Sequence, residues 1–492
     1  MATAAHGAAL STHADSAIDP VASPVLQREL PGIADAFNEQ HMRDWLQVAL
    51  FDQQHAYHPI DNCEVEQATY LPGEGCVVRY LLTLGGAGAP SEPLLVSGYV
   101  FGDAERAAAF FHERLEPLAA RAGDTPFARP IALRDNPAMV VFAYPIDADV
   151  PELIDANDGA LMRERLAPYL GTIAPAGAQI VSCRAELVDY GRQRRATLRY
   201  YLSLDGAADT IVYGKLTGDG SGALAGDVSA ALRELGQHGA TGARFGAPRV
   251  LDWLPDLKLS LLETLPGKDI IGDLLKARLR DKPAPSDVPS LEEAVEACAR
   301  IAAALHTSGV ALGPARTPAD ELGRLSAAHA QVQRISPELG ALLAPWYDRL
   351  VAAEAQSQAL ALCFNHGDFT AGQVLFDGHA CGLIDFDSVC QAEPALDIAQ
   401  FLTYLTVGGQ KSKRTAEETR ALFADLTARF VNTYLATASY SEGDASQLMA
   451  RVEVYRGISL LRRVLRSWQK MKPGRIAGAL AMMQEALAPL GA

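Results

Sequence analysis

Cysteine is sparse and unpaired in this sequence. Its thiols, at Cys63, Cys76, Cys183, Cys298, Cys363, Cys381 and Cys390, include no CxxC pair and no zinc-ligand spacing. An odd, scattered set with apolar neighbours excludes a disulfide framework and predicts reduced thiols in a cytoplasmic protein. Basic charge is also in deficit: 43 lysines and arginines face 59 aspartates and glutamates, a net charge of −16. The basic footprint that nucleic-acid binding needs is therefore missing. No apolar run reaches the length of a membrane span. The opening MATAAHGAALSTHADSAIDP lacks the basic region and sustained apolar core of a secretory signal. Its small and polar residues predict a mobile tail over residues 1–25. These absences leave a soluble chain with neither a nucleic-acid nor a membrane partner. At 492 residues it is too long for one core, so two or three domains are expected.

What is present begins with a repeat. CEVEQATYLPGEGCVVRYLLTL from Cys63 lies over CRAELVDYGRQRRATLRYYLSL from Cys183, without a gap, at an offset of 120 residues. Glu66 meets Glu186, Tyr70 meets Tyr190, and Arg79-Tyr80 meets Arg199-Tyr200. After a loop four residues shorter in the second copy, VSGYVFGD (96–103) lies over VYGKLTGD (212–219). Each copy predicts two strands joined by a tight turn, a third strand, a helix, and two more strands.

From about residue 287 the pattern turns helical. SLEEAVEACARIAAALHTSG opens with a serine N-cap and an acidic first turn, and a second long helical stretch runs from Pro318 to about Ala355. Short strands are predicted at Leu362–Phe364, Val374–Phe376 and within GLIDFD (382–387). The rest is helical, with a Gly-Gly-Gln-Lys-Ser-Lys loop near residue 410. A β-rich half followed by a helical half gives an α+β, two-lobed plan.

The chemistry-bearing stretch is CFNHGDFTAGQVLFDG (363–378), followed by GLIDFDSVCQAEPALDIAQFL. Asp368 either closes a turn between strands or acts on a substrate. Phosphoryl transfer needs a carboxylate to orient or deprotonate a hydroxyl, and oxygen ligands for magnesium. HGDFTAGQ offers the carboxylate and, five residues on, the amide of Gln373. A hairpin of VLF with GLIDFD would bring Asp385 to the same end of the sheet. Asp387 reads equally as a second contact or as a solvated turn.

The two segments together resemble the catalytic region of aminoglycoside phosphotransferase-like small-molecule kinases, in which an HGDxxxxN loop precedes an I-D-F/W segment and a DxA helix start. The resemblance implies a bilobal protein-kinase-like fold, and the repeat adds an extra N-lobe-like domain before it. It makes Asp368 the catalytic base, Gln373 and Asp385 the metal ligands, and His366 and Asp397 structural supports of the loop. Gln373 departs from the family's asparagine by one methylene. The cofactors implied are ATP and Mg²⁺, and the acceptor is a hydroxyl of a small molecule: a sugar, an aminoglycoside-like compound or another hydroxylated metabolite.

A kinase also needs a lysine on the third strand of its β-lobe, paired to a helix glutamate. Lys215 of IVYGKL occupies that place, the plainer alternative being a solvated edge-strand charge. Glu234 is the expected partner, with Asp227 as the cap of its helix. The backbone of Glu263, Thr264 and Leu265 is expected to face the adenine at the hinge. DYGRQRRAT is expected as the phosphate-covering turn, without a GxGxxG, and its Arg192, Arg194 and Arg195 read equally as phosphate contacts or as a solvated turn. GDGSGALAG (218–226) only superficially resembles a dinucleotide fingerprint, because no parallel strand with an acidic end follows.

In the first copy Tyr99 stands where the second has Lys215, and no HGD segment follows. That copy reads as a degenerate lobe serving as a cap, a homodimer surface or a regulatory module. The expected division is a tail (1–25), the degenerate repeat (26–165), the kinase-like N-lobe (166–268) and the helical C-lobe (269–492). The rival reading is a pseudokinase, a nucleotide- or ligand-binding scaffold that keeps the pocket without the chemistry.

Overall fold

The computed structural model describes residues 18–51, 58–86, 88–123, 125–191, 194–239, 242–283, 287–407 and 412–487. Residues 1–17 of the expected tail, Arg192, and residues 408–411 of the Gly-Gly-Gln-Lys-Ser-Lys loop lie outside the described residues. From residue 18 the expected tail is docked rather than mobile. Ser23 caps the helix Pro24–Glu29 and its hydroxyl donates to Ile335 O at 2.5 Å, while Leu26 is fully buried. A capped turn with a buried leucine has enough contact to offset the entropy of ordering it.

Two five-stranded antiparallel sheets follow, with one topology. The first has the order β1 (Ile60–Leu71), β2 (Gly75–Leu84), β3 (Leu94–Val100), β5 (Met139–Ala143), β4 (Ile131–Arg134). The second has β6 (Gln179–Gly191), β7 (Arg195–Asp205), β8 (Thr210–Thr217), β10 (Leu259–Glu263), β9 (Val250–Leu254). In β7, burial alternates strictly: Ala196, Leu198, Tyr200, Leu202 and Leu204 face the core, as a period of two requires.

The correspondence extends further upstream than the sequence comparison reached. Tyr80 donates its hydroxyl to Ala36 O at 2.7 Å, and Tyr200 donates to Ala156 O at 2.8 Å, both ends of each bond shifted by 120 residues. Met42 and Leu46 on the helix Glu39–Leu50 are fully buried, as are Met162 and Leu166 on Gly159–Leu166. Arg79 pairs with Glu66 at 3.3 Å, and Arg199 pairs with Glu186 at 3.3 Å. Helix Gly159–Leu166 shares its core with β6–β10, from Val150 onward. The packing therefore starts the second unit near Val150 rather than at the expected residue 166, because those helices bury their apolar face on the second sheet.

The helical lobe starts after β10. Ser290 forms a capping box with Glu293 on the helix Leu291–His306, and Thr317 forms one with Asp320 on Pro318–Ile335. The second helical stretch is two helices, not one. Pro337 lacks an N–H and begins Pro337–Gln356 directly after Ser336. The helix Glu442–Gln469 runs through the lobe. Its fully buried Arg451 makes a two-pronged contact with Glu393, Nε to Oε2 at 2.7 Å and Nη2 to Oε1 at 2.8 Å. No helix among the described residues is long and apolar enough to cross a membrane.

Tyr200→Phe and Tyr80→Phe each leave a buried carbonyl without its hydroxyl donor, and are expected to lower stability by about 1 kcal/mol. Urea unfolding of the two variants checks this. An unchanged midpoint in either one would show that its hydroxyl does not tie helix to sheet.

Candidate active site

The catalytic-type loop hangs between two short two-stranded sheets. β11 (Cys363–Asn365) pairs with β14 (Cys390–Ala392), and β12 (Val374–Asp377) pairs with β13 (Ala380–Leu383). Gly367 turns the chain at φ +78°, and a Cβ there would collide with the Ser388 carbonyl. No residue but glycine suits both the left-handed conformation and the close approach. The strand of GLIDFD ends at Leu383, two residues before Asp385, which itself takes a left-handed conformation (φ 63°).

Asp397, fully buried at the start of the helix Ala395–Val407, organises this loop. Its Oδ2 accepts the His366 N–H at 2.7 Å and its Oδ1 accepts the Gly367 N–H at 2.8 Å. His306 Nε2 lies 3.3 Å from Oδ2, and Tyr434 sits 2.9 Å from the other ring nitrogen. Burial pushes the Asp397 carboxyl up, but the hydrogen bond and charge of His306, the charge of His366 and the Gly367 N–H together hold it below the ordinary range. One helical turn on, Gln400 accepts the Phe369 N–H at 3.0 Å and donates to Gly367 O at 3.0 Å. His366 is buried, with Nε2 2.9 Å from Ile384 O, which ties the loop to the segment carrying Asp385.

Asp368 projects half-buried from this frame into a cavity of about 540 Å³. Burial pushes its carboxyl up; the charges of His366 and Arg466 oppose this, and that of Asp385 adds to it. Lys215, on β8, reaches Asp385 Oδ1 at 2.5 Å and Asp387 Oδ2 at 3.1 Å. Burial alone would lower the lysine, yet the two carboxylates hold it above its ordinary value. Asp385 is held low: burial pushes it up, and the charge and hydrogen bond of Lys215 more than compensate. Asp387 is thus a partner of Lys215 rather than a solvated turn.

Gln373 donates its amide nitrogen to Asp385 Oδ2 at 3.2 Å. The amide of Gln373 and the carboxylates of Asp385 and Asp387 form an all-oxygen donor set of the kind Mg²⁺ takes. Turning the amide over exchanges its donor for its acceptor. Among the described residues no group of three or more His, Cys, Asp or Glu could hold a metal on its own. Nucleotide phosphates and water would complete the shell. The residues present fit the ion on that condition.

The structure does not bring Glu234 to Lys215. Glu234 is exposed on Ala225–His238, and the ion-pair partners of Lys215 come from the helical lobe. Two carboxylates already beside the half-buried ammonium satisfy it. Asp227 lies in the first turn of that helix, which begins at Ala225 with Leu224 at the cap position, so Asp227 is not the cap. At the hinge, Glu263 pairs with Arg249 through two contacts of 3.2 Å, and its N–H donates to Arg249 O. Thr264 donates its hydroxyl to Ile211 O at 2.8 Å, and the Leu265 side chain lies over Gly246 and Gly382. The glycines of GDGSGALAG lead into a short 3-10 turn and then Ala225–His238, and β9 after them pairs antiparallel with β10, so no dinucleotide unit forms.

In the first sheet, Tyr99 is 5% exposed and stacks on Phe101 with centroids 4.4 Å apart, edge-on to Phe110. The place that holds Lys215 in the second sheet is closed there by an aromatic core. The cavity also has residues that sequence reading missed. Arg316 donates to Gly367 O at 3.1 Å, and Arg462, Arg466 and Lys470 line the wall. The signal available was their spacing, every fourth residue along one helix.

A β-rich lobe, a helical lobe and a braced HGD loop between them make this a chain of the bilobal, kinase-like class. Residues 199–436 match the model of the phosphotransferase enzyme family. The match covers just under half of the chain, and it is this part that is similar to the family. No curated protein matches the chain significantly. Among solved structures, it is similar to a choline kinase from Cryptosporidium parvum Iowa II at 14% identity, covering 66% of this chain and 94% of that one, with a TM-score of 0.44. It is similar to the GDP complex of aminoglycoside 2'-phosphotransferase-IIIa at 14% identity, covering 66% and 99%, with a TM-score of 0.42. A glucosamine kinase gives 18% identity, 64% and 95% coverage, and a TM-score of 0.39.

Asp397→Asn replaces a carboxylate that accepts two backbone N–H groups by an amide that offers two donors. It is expected to lower stability by about 2–3 kcal/mol at neutral pH. Because the folded carboxyl is held below its unfolded value, its contribution is complete above the ordinary aspartate range and is lost as pH falls through the folded value. The gap between wild type and variant should therefore close below that range, read by denaturant unfolding across pH. A gap independent of pH would refute the ionic bracing.

Proposed function

We propose that this protein transfers the γ-phosphate of ATP, with Mg²⁺, to a hydroxyl of a small molecule. The observation that carries the reading is the braced loop: Asp397 fixes His366 and Gly367, so that Asp368 faces a cavity beside the Lys215–Asp385 pair. Fixed geometry of this kind is what phosphoryl transfer asks of a protein, since positioning and electrostatics supply most of the rate.

In this reading Asp368 orients the acceptor hydroxyl and takes its proton as the oxygen–phosphorus bond forms. The bond from the γ-phosphorus to the bridging oxygen breaks, and ADP leaves with the electron pair. Lys215 neutralises the donor phosphates, and Gln373 and Asp385 would hold the ion. When bound, Mg²⁺ would offset the charge of those phosphates. The hinge backbone from Glu263 to Leu265 takes the adenine. The first sheet, with Tyr99 buried in its core, is a degenerate copy of the second that acts as a cap; its strand order and the Tyr80–Ala36 bond support this.

Asp368→Ala is expected to abolish transfer across a panel of hydroxylated metabolites while nucleotide binding persists. Transfer that survives the change would sink the mechanism. No transfer to any member of the panel by wild type, with tight nucleotide binding intact, would favour the pseudokinase. In wild type, the rate should fall on the acid side with an apparent pKa above the ordinary aspartate value, because burial raises the Asp368 carboxyl.

Lys215→Ala is expected to reduce kcat/KM for ATP by roughly 100-fold. Tyr99→Ala should lower the melting temperature and leave KM for ATP within about twofold, since no strand lysine or loop carboxylate touches that core. Equal effects on ATP use would mean the two lobes have been assigned the wrong way round.

A further inference from the structure

One residue of the N-terminal unit stands in the cavity of Asp368. Gln67 of β1 lines it together with Asp368, Tyr404 and Ser459. Gln67 and Arg79 are register partners on β1 and β2, so both side chains stand on one face of the first sheet. From that face Arg79 donates to Tyr190 O, and Tyr190 lines the cavity too. The ladder slips between Val65 and Gln67, an irregularity of the kind that re-aims a side chain. Two side chains of the helical lobe then hold β1 on either side of Gln67. Lys472 donates to Glu66 O at 3.2 Å, and Gln469 donates to Tyr70 O at 3.4 Å.

The fold of the first sheet does not call for an amide at this position. The offset of 120 residues sets Gln67 over Leu187, which packs against the apolar core of the second unit. Gln67 is half-buried, and its side-chain amide has no hydrogen-bond partner among the described residues. Ser459, on the helix Glu442–Gln469, is 7% exposed, and its hydroxyl has no partner among them either. A covered polar group without a partner is costly, and a polar ligand in the cavity supplies one. Amide and hydroxyl are uncharged and can donate or accept, which suits a hydroxyl of the ligand.

A neighbouring pocket of about 280 Å³ contains Thr217 and Asp387, the second of which pairs with Lys215. It shares Arg195, Arg316 and Ser388 with the cavity of Asp368, but Gln67, Tyr404 and Ser459 do not line it. These three stand on the part of the cavity that the surroundings of Lys215 do not share. Gln67 and Ser459 also lie outside residues 199–436, so the likeness to the phosphotransferase family assigns them nothing.

We infer that the N-terminal unit supplies part of the acceptor site: Gln67, with Ser459, hydrogen-bonds a second hydroxyl of the acceptor while the first lies at Asp368. This rests on the phosphotransferase reading above and specifies its acceptor as a polyhydroxylated molecule. In a cavity of about 540 Å³, a compound with a single hydroxyl at Asp368 leaves Gln67 and Ser459 unanswered. The first sheet is then a specificity element and not a cap alone.

The test uses the full chain saturated with a non-hydrolysable ATP analogue and Mg²⁺, and measures binding of glucose, inositol and choline by calorimetry. Glucose or inositol is expected to bind, and choline, with its one hydroxyl, to bind roughly tenfold more weakly or not at all. Gln67→Leu, which installs the residue of the second copy, should weaken polyol binding by roughly tenfold and leave affinity for the ATP analogue within about twofold. Ser459→Ala should act in the same direction. Glu105→Gln, exposed on the helix Ala104–Phe110 of the same unit, should change neither affinity. A merely structural role for Gln67 would weaken both ligands alike. No binding of either polyol, polyol binding unchanged by Gln67→Leu or by Ser459→Ala, an equal loss for the ATP analogue, or a preference for choline would each overturn the proposal. Failure of the ATP analogue to bind, or polyol binding without transfer from ATP, would instead count against the kinase reading, which keeps the two apart.

Discussion

The buried carboxylate of Asp397 is the constraint on which the site depends. A loop that must present Asp368 to a cavity cannot satisfy its own backbone by strand pairing, so its N–H groups need partners elsewhere. Asp397 supplies them to His366 and Gly367, and Gln400 supplies one to Phe369. Both acceptors stand on the helix Ala395–Val407, whose own position is set by packing against Glu442–Gln469. The geometry at Asp368 is thereby a property of the helical lobe. The cost of burying the charge is met by His306 and two amides, with Tyr434 holding the far side of the imidazole.

The N-terminal unit is bound into the same arrangement. Buried Arg79 donates to the Tyr190 carbonyl in the second sheet and lies over the Tyr190 ring, 5.0 Å from its centroid. On the other side Arg334 reaches Glu29 at 2.7 Å and Tyr70 at 2.9 Å, and Tyr70 meets the edge of Trp468. One arginine ties it to the hairpin over the cavity and another to the helical lobe, so movement of either neighbour is resisted by the first sheet. Gln67 of β1 reaches the cavity wall itself.

Much of the site was legible in residue order, because its parts are local. HGD followed by IDFD marks a loop and a hairpin whatever surrounds them, and Lys215 stands on a strand whose alternation shows in the sequence. The pairing of that lysine was not legible. Glu234 was the expected partner by position on the following helix, but the helix turns it to solvent, while Asp385 and Asp387 come from 170 residues away. Tail residues 18–25 read as mobile by composition, yet Ser23 donates to Ile335 O on the helical lobe, and Ile18, Val21 and Val25 pack against the core, contacts that no local pattern announces. The upstream half of the repeat was legible too at the same offset, where Asp35-Ala36 meets Asp155-Ala156, Met42-Arg43 meets Met162-Arg163 and Leu46 meets Leu166.

From its sequence alone this protein had a repeat, a two-lobed order of strands then helices, a phosphotransferase loop and the identity of the carboxylates in it. These depend on periodicity and on residues a few positions apart, which the chain carries wherever it goes. The tertiary structure alone decided that Asp385 and Asp387 answer Lys215, that Glu321 gathers Arg316, Arg324 and Arg462, and that Arg466 and Lys470 face Asp368's cavity. Charges act over distance in space and not along the chain, so a sequence with a net charge of −16 can hold a cationic cavity that its composition conceals.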